Sequence, residues 1–245
     1  SRARLVRGRP PPRRAPRPGG GGGGPPCNST ANQNFSTLGP ARGIYLWKDE
    51  RPSKDVVAYT LVDDRDTLDC VTVYWPSRCG EREASEPKRI MAAKATEAVV
   101  GSLYKVREND DIIVIGDFND EPGDVSVANY LRGSGKLPNA DERAKIFLDD
   151  ALYEVYVDSL QETNYYRGSW NTIDQILLVS GLFDRAGFGT DNPASRVFVL
   201  PFMREQEGRY KDAPYRTYVG PRYLGGISDH FPVYIQLNHY NETRE

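Results

Sequence analysis

Apolar runs of five to seven residues recur along this chain, and each breaks abruptly into groups that bind or ionise. Leu68–Tyr74 runs into Trp75-Pro76-Ser77-Arg78, and Asp111–Ile115 runs into Gly116-Asp117-Phe118-Asn119-Asp120. Asp174 stands near the head of Ile173–Val179, and Ser228-Asp229-His230 leads into Phe231–Leu237. Runs of this length, bounded by turn residues, read as strands. A strand fixed in a sheet is rigid, so polar groups at its end are held still.

A chain of 245 residues is long enough to bury a core as one α/β domain. Its hydrophobic share of 38% is low, but the deficit is local. Residues 1–26 hold seven arginines and no acid. Removing that +7 from the whole-chain charge of −2 leaves −9 on residues 27–245. The expected division is a disordered Arg/Pro/Gly-rich tail over 1–42 and a folded domain over 43–245. The tail is either a nucleic-acid-binding arm or a bland linker. With Ser1 rather than Met at its head, the chain is expected to be an N-terminally incomplete piece.

No apolar run is long enough to cross a membrane, and no apolar core of a signal peptide is visible. Cys27, Cys70 and Cys79 lack zinc-type spacing, and Cys70 is expected to pack inside its strand. Sequons stand at Asn28, Asn34 and Asn241.

The remaining elements follow from periodicity and turn chemistry. Val56–Leu61 and Leu68–Tyr74 read as two strands joined by the acidic turn Asp63-Asp64-Arg65-Asp66. Ser85 offers an N-cap with Pro87 in the first turn, and Ala92, Ala95, Val99 and Leu103 follow at helical spacing. A helix is therefore expected over 86–106. Asp124 is a candidate cap for a short helix through Leu131. Strands are expected at Ile173–Val179 and Arg196–Leu200, and Phe231–Leu237 is expected to be a central strand. Pro201–Ile227 is a long, tyrosine-rich connection without periodicity, of the kind that carries function.

Asp117 and Asn119 project a carboxylate and an amide from one strand end, where the acid serves a water or cation and the amide a phosphate oxygen. An ordinary Asx turn is the competing reading. Asp229 and His230 are adjacent on extended chain and point opposite ways, one suited to a metal and the other to a phosphate. Asp174, costly if left unpaired, has His230 as its natural partner, with an arginine as the alternative. His239 has no such company and reads as surface or packing. Arg78 is a candidate phosphate ligand and Arg89 a weaker one. Hard cations such as Mg²⁺ take oxygen ligands and bind phosphate oxygens, so the chemistry suggested is phosphoester cleavage.

The segments IGDFND, WNTIDQILLVS and SDHFPV, in this order and strand context, resemble the endonuclease/exonuclease/phosphatase superfamily. The resemblance covers about residues 43–237. It implies a four-layer α/β sandwich of two packed mixed or antiparallel sheets with outer helices, partial at the N-terminus. It also implies in-line attack of water on a phosphoester, assisted by Mg²⁺ or Mn²⁺. Carried over, Asp229 and Asp117 are metal-site carboxylates, and Asp117 also serves the attacking water. Asn119, His230 and Arg78 bind phosphate, Asp174 orients His230, and Tyr74 is a phenol beside the phosphate where related segments often have His. The substrate class stays open among nucleic acid, lipid and small phosphate ester, and the oligomeric state stays open too. Superfamily members also use an early Asn and a Glu metal ligand, for which Glu50 is the nearest candidate here. On that count a catalytically impaired remnant or binding module of the same fold is the alternative.

Overall fold

The structure, a computed structural model, describes residues 36–37, 42–45, 55–62, 66–78, 81–106, 111–131, 152–154, 162–191 and 194–241. The tail, Glu50, Cys27, Cys79 and the sequons at Asn28 and Asn34 lie outside the described residues. Strands β1 (Ser36–Thr37), β2 (Arg42–Tyr45), β3 (Asp55–Val62) and β4 (Thr67–Tyr74) precede helix α1 (Arg82–Val106). After it come β5 (Ile112–Asp117), β6 (Leu152–Glu154), β7 (Asn164–Tyr166), β8 (Ser169–Asn171) and β9 (Asp174–Val179). The rest are β10 (Ala186–Gly189), β11 (Arg196–Val197), β12 (Tyr218–Val219), β13 (Arg222–Tyr223), β14 (Val233–Tyr234) and β15 (Asn238–Asn241).

Seven strands form one mixed sheet in the order β1-β3-β4-β5-β9-β6, with β2 also on β3. Only β4 and β5 run parallel in it, and α1 is their crossover, because a parallel pair cannot be closed by a tight turn. Side chains along the three inner strands sort by the two-residue period of a pleat. Val71, Val73, Ile112, Val114, Leu177 and Val179 face α1 and its Ala92, Ala93, Val99 and Val100. Leu68, Cys70, Ile113, Ile176 and Leu178 face the other way, against Leu182, Phe183 and Phe188. Both faces are dry, which is why these strands lack polar alternation.

The α/β class expected from the sequence holds. Beyond the main sheet, the described residues form two-stranded ribbons: β7 with β8, β10 with β15, β11 with β14 and β12 with β13. A second broad sheet is not among them.

Four local expectations need correction. Helix α1 starts at Arg82, so Ser85 lies inside it with its hydroxyl donating to the Glu81 and Arg82 carbonyls. Ser85 is thus no N-cap, and Pro87 falls beyond the first turn. Asp124 does not cap the short π-helical turn Ser126–Tyr130; its carboxylate turns back to the Glu121 N–H and to Arg78 and Arg82. The Arg196–Leu200 strand shrinks to Arg196–Val197. Phe231–Leu237 is not a central strand: only Val233–Tyr234 pairs, with β11, and Tyr234 is exposed. Its apolar residues Val233, Ile235 and Leu237 form one half-buried stripe on the second core.

Candidate active site

Three main-sheet strands end or begin in register at one edge. Tyr74 of β4 stands opposite Asp117 of β5, and Asp117 stands opposite Asp174 of β9. The chain can turn out of β5 because Gly116, at φ 154°, lies against Val73, whose carbonyl a Cβ would overlap. Past the turn, Asn119 adopts φ 52°, a left-handed conformation that Asn tolerates better than most residues. Its backbone N–H donates to Asp117 Oδ1 at 2.8 Å and its Nδ2 to Asp117 Oδ2 at 2.9 Å.

His230 arrives from the far end of the chain. Thr163 and Asn164 guide it: the Phe231 N–H donates to the Thr163 carbonyl at 2.8 Å, and Asn164 Nδ2 donates to the Asp229 carbonyl at 3.0 Å. The His230 ring then meets Asp174 with Nδ1 to Oδ2 at 2.7 Å. This fixes the tautomer and leaves Nε2 as the atom offered outward. Burial alone would lower the imidazole's affinity for a proton. The hydrogen bond and charge of Asp174, with the charges of Asp117 and Asp229, outweigh it and push His230 up to about 9.

Asp117, Asp174 and His230 each present a donor atom, all within 4.8 Å of one another. Two carboxylates beside an open strand edge are the oxygen-rich set that a hard divalent cation takes, so the residues present fit one. Asp229, expected as a metal ligand, is exposed and stands outside this group, as the opposite facing of neighbours on extended chain dictates. Tyr74 is half-exposed at the same edge.

Two expected phosphate contacts are engaged elsewhere. Arg78 donates to the Asn119 carbonyl, Asn171 Oδ1 and Asp124 Oδ2 at 2.6, 3.3 and 3.1 Å. Arg89 is buried within α1 and pairs with Asp120 at 2.7 Å. The Asn119 amide is likewise committed, to Asp117 and to the Trp75 carbonyl at 3.0 Å. Nearby, Arg204 packs over the Phe231 ring and Arg216 donates to the Tyr165 carbonyl at 2.5 Å. His239 is a packing residue, edge-on to Phe188. The positioning roles of Asn164, Asn171 and Gln175 had no periodic or motif signal in sequence.

The fold is of the α/β class, a mixed sheet whose strand ends collect carboxylates, an amide and an oriented histidine. The chain is a member of the endonuclease/exonuclease/phosphatase family, whose model matches residues 41–239. No curated protein matches the sequence significantly. Among solved structures, a truncated TDP2 from Caenorhabditis elegans is similar over 82% of this chain and 66% of its own, at 11% identity and a TM-score of 0.50. An endonuclease/exonuclease/phosphatase family protein from Bacteroides thetaiotaomicron is similar over 85% of this chain and 67% of its own, at 16% identity and a TM-score of 0.50. The chain thus spans about two-thirds of the length of either, and the likeness is one of fold.

Proposed function

We propose that the chain hydrolyses phosphoesters with the help of a divalent cation, water attacking phosphorus in line with the departing oxygen. The observation that carries this reading is the convergence of Asp117, Asp174 and His230 at adjoining strand ends, with Asn119 fixed to Asp117. Asp117 positions the attacking water and takes its proton, while Asn119 steadies that carboxylate and borders the phosphate. His230, oriented by Asp174 and charged at neutral pH, donates from Nε2 to the phosphate and then protonates the leaving oxygen. The bond from water oxygen to phosphorus forms as the bond to the leaving oxygen breaks. Of the clustered carboxylates Asp117 would hold Mg²⁺ or Mn²⁺, and Asp229, which adds its charge to the same His230 from outside that group, would complete the set; the bound ion supplies a Lewis acid against the charge on the phosphate oxygens. Tyr74 flanks the same phosphate, and the active domain is residues 43–245.

The test is turnover of a phosphoester panel with Mg²⁺, comparing wild type with Asp229→Ala and His230→Ala. Each variant is expected to lose about 10²- to 10⁴-fold in kcat. Equal activity in all three rejects the site. Plasmid nicking set against phosphate release from soluble monoesters separates nuclease from phosphatase.

A further inference from the structure

The turn after β5 is gripped residue by residue from other parts of the chain. Arg78 Nε donates at 2.6 Å to the carbonyl of Asn119, which sits at φ 52°. Asp120 pairs with Arg89 Nε at 2.7 Å, both side chains almost fully buried, and accepts the Ser126 hydroxyl at 2.6 Å. The Asp120 carbonyl accepts Gln175 Nε2 of β9 at 2.6 Å. The Glu121 N–H donates to Asp124 Oδ2 at 2.8 Å, the same oxygen that Arg78 Nη2 meets at 3.1 Å. Arg78 Nη1 reaches Asn171 of β8 at 3.3 Å.

We infer that Arg78 is a positioning residue and not a substrate ligand: backed by the Arg89–Asp120 pair, it holds the Asp117–Asn119 turn in its working geometry. A planar guanidinium spans the Asn119 carbonyl, Asp124 and Asn171 at once, which a single ammonium cannot do. The left-handed backbone at Asn119 is the kind of conformation that persists only where its surroundings over-determine it. Arg78 supplies that constraint from the segment after β4, and Arg89 supplies it from α1. Releasing the Asn119 carbonyl frees the N–H and Nδ2 that together hold both Asp117 oxygens. The carboxylate then loses its fixed direction toward the water.

The kinetic arm of the test rests on the hydrolase reading; the exchange arm does not. With the full chain, Mg²⁺ and bis(p-nitrophenyl) phosphate, Arg78→Ala is expected to lower kcat about 100-fold while KM stays within about threefold. Millimolar guanidinium should restore part of that kcat, and Arg78→Lys should restore little. A raised KM with kcat intact would show that Arg78 grips substrate, and overturns the inference. Hydrogen exchange supplies the second reading: in Arg78→Ala the Asn119 backbone N–H should exchange at least about tenfold faster, with Ile113 and Val114 unchanged. Unchanged protection at Asn119 overturns the inference as well. If wild type turns over no ester with any cation, the hydrolase reading fails and the exchange result alone decides the clamp. Should Arg78→Ala not fold, Asp124→Asn carries the same two readings at smaller amplitude.

Discussion

Asp174 and His230 divide one task between them. The carboxylate sits in the sheet, fixed by its register with Asp117, and the imidazole comes to it on a loop 56 residues later. Because the folded pKa of about 9 lies above the ordinary value of 6.5, the pair stabilises the fold fully below pH 6.5. That contribution, on the order of 3 kcal/mol, is lost as pH rises through 9. Asp174→Asn removes the main cause, and the remaining burial favours the neutral ring. An NMR titration of metal-free protein should therefore place His230 near 9 in wild type and at or below 6.5 in the variant. An unchanged titration would mean that Asp174 does not govern the ring. The denaturation midpoint of wild type, but not of Asp174→Asn, should fall between pH 7 and pH 9.5.

Strand β5 owes its sharp exit to a position where no side chain fits. Gly116→Ala would drive a methyl group into the Val73 carbonyl of the neighbouring parallel strand. The expected cost is about 3 kcal/mol in urea unfolding, since backbone, unlike a flexible side chain, cannot step aside. An alanine variant as stable as wild type would show that the turn is built otherwise. Helix α1 matters to the site for a different reason. Its inner face is mostly small, with Ala92, Ala93, Val99 and Val100 against the sheet, and it carries Arg89 inward with them. The periodicity of its apolar residues foretold Ala92, Val99 and Leu103 on that face, but neither Ala93 and Val100 nor the buried cation. Arginine at a helical spacing reads as solvated surface until its partner, Asp120, is known to lie beneath it.

For the molecule as a whole, the sheet's two dry faces put the core where the site is not. Trp75 and Phe118, fully buried and edge-to-face at 4.8 Å, lie beside the strand ends that carry Tyr74 and Asp117 and form a floor there. Phe118→Ala should cost about 3–5 kcal/mol through cavity and transfer terms, read as a lowered urea midpoint. A loss below about 1 kcal/mol would deny that floor its role. A cation that binds only the folded state stabilises it by mass action, about 2.7 kcal/mol at a hundred times its Kd. Mg²⁺ or Mn²⁺ at that level should raise Tm by roughly 5–10 °C, and chelation should reverse the rise. In Asp117→Asn the rise should be reduced or absent. An identical rise there would place the cation elsewhere.

The strands at Val56–Leu61, Leu68–Tyr74, Asp111–Ile115 and Ile173–Val179 were legible in the residues, as was the grouping of Asp117, Asp174 and His230, whereas the short two-stranded ribbons were not. Short apolar runs have few alternatives to a buried strand, and costly charged groups beside them need a reason. The partner of each arginine was not legible. Arg78, Arg89 and Asp124 are ordinary polar residues in sequence, and their roles depend on which distant carbonyl or carboxylate the fold brings within reach. Phe231–Leu237, expected as a central strand, was misread for the same reason: its composition suits equally the half-buried stripe that it lays over the second core. Local chemistry determined which groups could react and where strands would end. Long-range packing alone decided which donors point at the reacting edge and which are consumed in holding it, because a hydrogen bond's partner is set by position in space and not along the chain.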